Sequence, residues 1–187
     1  MEKRMKLRML SLALTAAAVV CACSVRQSRA QATPLVLAVA EIHYVDTSGE
    51  VIDQSADHRR RLREFEAALR SDLVASGKVA NAALECPPNA CSVGDLTDGQ
   101  LLGKAKEAGA THLLIGRFHK MSTLIQQAKF DVIDVKARKV VFDRYISFRG
   151  DNDAAWRRAE SFLARQILEQ GEWSIGVSAA TALPRSP

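Results

Sequence analysis

Between Gly109 and Gly150 the chain carries one continuous apolar run and then two blocks of alternating apolar and polar positions, which predicts three adjacent strands forming the spine of one sheet. Thr111–Met121 is centred on Leu113-Leu114-Ile115, apolar on both faces, and its Gly116 leaves room for a helix to approach closely. In Thr123–Val135 the even positions Leu124, Ala128, Phe130 and Val132 are apolar, while Thr123, Gln127, Lys129 and Asp131 are polar. In Lys139–Arg149 the even positions Val140, Phe142, Ile146 and Phe148 are apolar again. Antiparallel partners share a face, so the two numbers of each pair must sum to an even total. The three-residue loop Lys136-Ala137-Arg138 satisfies that condition, and the even side of the hairpin is expected to be core.

The flanking segments change period. Leu35–His43 is a nearly continuous apolar run of strand length, suited to burial on both faces. From about Ala56 to Ser76 the residues Leu62, Phe65, Leu69 and Leu73 recur at helical spacing, with Ser55 or Asp57 as candidate caps and Gly77 as the stop. Lys78–Leu84 reads as a short strand. Leu96–Ala108 reads as a second helix capped by Thr97 or Asp98 and ended by Gly109. A third helix runs from the acidic segment Gly150-Asp151-Asn152-Asp153 to about Gln170, with Trp156, Ala159, Leu163 and Ile167 as its apolar stripe. The order β-α-β-α-β-β-β-α, parallel crossovers first and hairpins later, defines an α/β class: a single mixed-sheet α/β sandwich with helices covering the sheet.

The amino terminus follows other rules. Lys3, Arg4, Lys6 and Arg8 precede the apolar run Met9–Ala22, so residues 1–32 are expected to be an export signal, residues 33–170 the folded domain and residues 171–187 a flexible tail in which Trp173 could dock. Two processing routes fit. Ala30-Gln31-Ala32 is an A-x-A site releasing a chain that starts at Thr33, whereas Val20-Cys21-Ala22-Cys23 loosely resembles a lipobox and would lipidate Cys23. Only the second route places the protein on a membrane.

Removing the leader alters the charge argument. Of 26 basic and 21 acidic residues, six and one lie within residues 1–32, which leaves 20 of each. The overall charge of +5 therefore belongs to the leader and does not point to nucleic acid. The cluster His58-Arg59-Arg60-Arg61-Leu62-Arg63, followed by Glu64, Glu66 and Asp72, is expected to be a solvated helix face with i,i+4 partners.

Few residues suggest chemistry. Cys86 and Cys91 bracket a Pro-Pro turn, and in an exported protein they form a local disulfide rather than a metal site or a C-x-x-C redox pair. Asp46-Thr47-Ser48-Gly49 approaches the aspartic-protease triplet, but the inserted Ser48 breaks its turn. His119, Lys120 and Ser122, where the third strand turns into the fourth, are the candidate binding residues; His112 and His119 point to opposite sides of one strand. Asp131, Asp134, Asp143 and Arg149 read as cross-strand charge partners. No catalytic residue, metal or cofactor is assigned, because no phosphate-binding glycine loop, nucleophile elbow or HExxH spacing occurs.

The segment Ala108-Gly109-Ala110-Thr111-His112-Leu113-Leu114-Ile115-Gly116, a helix end running into a strand, resembles bacterial envelope domains such as the amino-terminal domain of TolB and the curli-secretion lipoprotein. With Val45-Asp46-Thr47, the paired cysteines and Phe148-Arg149-Gly150-Asp151-Asn152-Asp153-Ala154-Ala155-Trp156, the chain from Leu35 to Gln170 is similar to an uncharacterised family of exported bacterial proteins. That family supplies no catalytic residues. The envelope resemblance implies a periplasmic, non-enzymatic binding or accessory protein whose partner is an envelope protein or a small ligand. Its rivals are a small hydrolase using His119 or the acids of the Tyr44–Asp57 loop, and a thiol-redox accessory protein using Cys86 and Cys91.

Overall fold

The computed structural model describes residues 35–170. The expected signal peptide, both processing sites, Cys23 and the tail from residue 171 lie outside the described residues.

One mixed sheet carries strands β1 (Leu35–Val39), β2 (His43–Asp46), β3 (Val79–Ala82), β4 (His112–Lys120), β5 (Ile125–Asp134) and β6 (Lys139–Arg149). The helices are α1 (Ser55–Ala75), α2 (Asp98–Glu107) and α3 (Asp153–Gln170). The strand order is β3-β1-β4-β5-β6, with β2 also paired to β4. Parallel pairs occupy the β3 side and antiparallel pairs the β6 side, as the order of elements predicts.

The expected strand Leu35–His43 is divided. β1 pairs Val39 with Leu114 and β2 resumes at His43 opposite Arg117, so Ala40-Glu41-Ile42 stands against only Ile115-Gly116. This extra residue is a bulge, and its freed backbone groups find partners on both sides of the sheet. The Ile42 N–H donates to Glu66 at 2.8 Å and the Val39 carbonyl accepts from Arg70 at 3.3 Å, both residues of α1. The Glu41 N–H donates to the Cys91 carbonyl, and the Glu41 carboxylate accepts from the Asn89 and Cys91 N–H groups at 3.0 Å each. Cys86 and Cys91 are disulfide-bonded, so the bulge is buttressed by a closed loop.

Even-numbered positions of the long hairpin do face the main core. Phe118, Ala128, Phe130, Val132, Phe142 and Ile146 pack there with Phe65, Leu69 and Leu73 of α1 and Trp156, Leu163 and Ile167 of α3. On the opposite face α2 covers Ala38, Leu113, Ile115 and Ile133 with Leu101, Leu102 and Ala105. Beyond α2 the odd side of β5 and β6 is polar, with Lys129 bridging Asp131 and Asp143.

The reason for that parity differs from the expected one. Asp134 pairs with Lys139, and four residues, not three, make the turn. The register then shifts between Val132 and Ile133, so that Ile133 faces Val140 but Val132 faces Phe142. A bulge at Val141 thus restores the even totals. Val140, expected in the core, is 56% exposed, and Val141 packs against the core cluster in its place.

Helix ends also refine the prediction. Thr97 caps α2 in a capping box with Gln100, whereas the residue preceding α1 is Gln54, which makes no side-chain cap; the Asp53 carboxylate accepts from the Ser55 N–H instead. Gly77 and Gly109, at φ +71° and +72°, end α1 and α2. Gly116 accommodates no helix: a Cβ there would lie 2.6 Å from the Phe130 ring, its partner on β5.

Candidate functional site

The polar concentration of the domain lies at the carboxyl end of β4, beneath the amino ends of α1 and α3. Lys120, the last residue of β4, has the even parity that turns its side chain toward the helices, and it is fully buried. Its Nζ lies 2.9 Å from the Asp151 carboxylate and 3.7 Å from Asp46, donates to the Gln54 side chain at 3.0 Å, and contacts Glu50.

Asp151 is the hub. Its two oxygens accept from His58 Nε2 at 2.7 Å, Arg61 at 2.9 Å and the Trp156 indole N–H at 3.3 Å, besides Lys120. Its neighbour Asp153 binds Arg60 at 2.9 Å and Arg61 at 2.8 Å. His58 is buried, its ring 4.7 Å from that of Tyr44. Trp156 joins this cluster to the aromatic core, stacking on Phe118 at 4.6 Å.

Electrostatics match the geometry. Burial works to raise the Asp151 carboxyl, but the hydrogen bonds from His58 and Lys120 outweigh it and hold the group below the usual carboxylate range. Burial likewise opposes the Lys120 charge, yet its bonds to Glu50 and Asp151 raise its proton affinity. The hydrogen bonds from Arg60 and Arg61 hold Asp153 down at about 2. A lysine kept protonated is a poor nucleophile, and a carboxylate kept ionised among four donors is a poor base. The arrangement is a charge-matched clamp that ties β4, the 47–54 loop, α1 and α3 together.

The three sequence candidates do not converge. His119 faces the other side of the sheet, where its Nε2 and the Thr47 hydroxyl are 2.7 Å apart. Lys120 belongs to the clamp. The Ser122 hydroxyl accepts from the Leu124 and Ile125 N–H groups and so builds the β4–β5 turn. The acids of the 44–57 loop are similarly occupied: the Asp46 carboxylate closes its own turn on the Ser48 N–H and hydroxyl, and Glu50 meets Lys120.

The expectation of a solvated basic face on α1 is also corrected. Arg60 does pair with Glu64 at i,i+4, but His58 and Arg61 turn inward to acids 90 or more residues away in sequence. A sequence signal for His58 existed, since positions 58, 62, 65, 69 and 73 form one helical stripe. Asp151 carried no such signal, being one acid of a segment that reads as a helix cap. That capping role belongs to Asn152, whose side chain accepts from the Ala155 N–H at 3.0 Å.

Among the described residues no helix is long and apolar enough to cross a membrane, and no group of side chains could hold a metal ion. The fold and the buried clamp define an α/β sandwich domain with one helix-covered face and one half-open face. Residues 36–168 match the family described as a protein of unknown function (DUF2380), and the chain belongs to that family.

No curated protein matches the chain. Solved structures similar to it include TolB from Acinetobacter baumannii, at 14% identity and a TM-score of 0.45, covering 73% of this chain and 29% of TolB. The PelC dodecamer from Paraburkholderia phytofirmans is 17% identical with a TM-score of 0.46, covering 73% and 86% of the two chains. Lipoprotein GNA1162 from Neisseria meningitidis is 14% identical with a TM-score of 0.47, covering 73% and 98%. The chain thus spans 29% of the length of TolB, and the expected distant likeness to that protein is found beside the family match.

Proposed function

We propose that this is an exported, envelope-associated, non-enzymatic accessory domain that binds a partner protein through the part of the sheet left uncovered by helices. It works in the periplasm, either free from Thr33 or held to a membrane by a lipid on Cys23. The reading is supported above all by how the polar side chains are disposed. His58, Lys120 and Arg61 are engaged by Asp151 beneath the helices, while the half-open face and the long edge strand β6 meet solvent. Binding surfaces, rather than reaction chemistry, are what this arrangement leaves available.

The test is affinity capture from a periplasmic extract with residues 33–187, disulfide intact, followed by reconstitution with the purified candidate. One partner binding at fixed stoichiometry upholds the reading. Turnover in a broad hydrolase screen, with no partner reconstituted, overturns it. Intact mass of the native protein reads the processing route directly: a start at Thr33 or an acylated Cys23 supports export, and an unprocessed amino terminus contradicts it.

A further inference from the structure

β6 is the outer strand of the sheet and, at 11 residues, its longest. The groups that point away from β5 form a row of unpaired N–H and C=O groups, a template for a further strand. Beside this edge, between β6 and α3, runs a groove of about 560 Å³. Ile146, Phe148, Ala155 and Ala159 line it, with Tyr145 56% and Phe162 38% exposed.

The rim is basic and its charges are unanswered. Arg149 and Arg158 border the groove, and Arg157 and Arg165 continue along the exposed side of α3. None of the four makes an ion pair among the described residues. Arg60 and Arg61 differ, since both are held by Asp153. Two unpaired guanidinium groups on an apolar groove, with two more along the neighbouring face of α3, call for carboxylates from outside the domain.

A second copy of the same edge does not meet that need. In the fully overlapped antiparallel register, β6 would set Arg144 against its own copy and Arg149 against Lys139. Its one acid, Asp143, already pairs with Lys129. Like charges placed directly opposite are destabilising.

We propose that the groove between β6 and α3 binds an extended acidic segment of a partner protein, which pairs with β6 as an additional strand and sets its carboxylates against Arg149, Arg158 and their neighbours. Backbone pairing supplies affinity, the apolar floor takes alternate side chains, and the arginines choose the sign of charge. The proposal rests on the partner-binding reading above and specifies its surface and the chemistry of the partner.

The probe is a fluorescent ten-residue peptide of alternating Glu and Val, titrated against residues 33–187 with amide exchange followed along β6. Its controls are a Lys-Val peptide and a Glu-Val peptide N-methylated at alternate residues. The proposal expects binding by the Glu-Val peptide with protection of β6 amides. It also expects at least tenfold weaker binding by both control peptides and by the Arg149→Glu/Arg158→Glu variant, whose unfolding midpoint verifies folding.

Equal binding of Glu-Val and Lys-Val peptides, or no peptide binding, overturns the proposal. So does binding that emerges only when residues 171–187 are removed, which would assign the groove to the chain's own tail, and so does dimerisation blocked by the arginine variant. Sedimentation with phosphatidylglycerol vesicles that is lost in the variant, without peptide binding, would assign the arginines to lipid. If a reconstituted partner binds the variant as well as the parent, this surface fails while the accessory reading stands.

Discussion

Removing Asp151 should cost far more than removing Lys120, although the two form one ion pair at 2.9 Å. Asp151, 8% exposed at its side chain, accepts from His58, Lys120, Arg61 and the Trp156 indole. Asp151→Ala leaves the fully buried Lys120 ammonium to the more exposed Glu50 and Asp46 and the Gln54 side chain, leaves Arg61, 12% exposed, to Asp153 alone, and leaves a tryptophan N–H unpaired. Breaking a buried pair from one side typically costs about 3–5 kcal/mol. Lys120→Met removes the buried charge itself; Asp151 keeps His58 and Arg61, and Glu50 and Asp46, more exposed, turn toward water. That substitution should cost no more than about 1–2 kcal/mol, since a buried ion replaced by an apolar side chain of similar volume is often near neutral.

Urea unfolding of residues 33–170 at pH 7 measures both. With a slope of about 2 kcal/mol per molar urea, Asp151→Ala should lower the midpoint by about 2 M and Lys120→Met by less than half of that. The folded-state carboxyl of Asp151 titrates below its unfolded value, so its contribution is present above about pH 4 and is lost as pH falls through the folded value. The gap between parent and Asp151→Ala should therefore close in acid. Equal costs for the two variants, or a gap that is independent of pH, would refute the clamp.

Three further outcomes are expected. Burial, with the nearby Asp72 charge, raises the Glu160 carboxyl to about 6, so the folded state loses stability as pH rises from about 4.5 to 6; Glu160→Gln should be more stable than the parent by about 1–2 kcal/mol at pH 7.5, and thermal melts should show that gain vanishing near pH 4. Gly116→Ala should cost about 1–3 kcal/mol by forcing a methyl against Phe130, and a double-mutant cycle with Phe130→Leu should recover at least about 0.5 kcal/mol of it. Closing a loop with a sequence separation of five, the disulfide should contribute about 2 kcal/mol, so Cys86→Ser/Cys91→Ser should lower the urea midpoint yet retain partner binding; loss of binding in a folded variant would revive a redox role.

The sheet and its covering helices could be read before any coordinates, because periods of two and 3.6 record which face of each element meets the core. Even positions of β5 and β6, the stripes of α1 and α3, and the glycine stops at Gly77 and Gly109 all follow from such local rules. Local rules failed where two compensating irregularities cancel. The four-residue turn and the bulge at Val141 each reverse parity, so the alternation Val140, Phe142, Ile146 is the one a plain hairpin would give, and of these only Val140 is misplaced; Leu124, also expected on the core side, precedes β5 and is 60% exposed.

The candidate site was legible only in part. His58 lies on an apolar stripe and could have been suspected, but nothing near Asp151 in sequence says that residues 58, 61 and 120 will surround it. Pairing across such distances depends on where β4 ends beneath two helices, a property of packed elements rather than of any segment. For the same reason, pattern alone determined that this chain is an α/β sandwich with a polar half-face. Tertiary structure decided that its most reactive-looking residues lock the fold from within, while the basic edge beside β6 stays exposed to solvent.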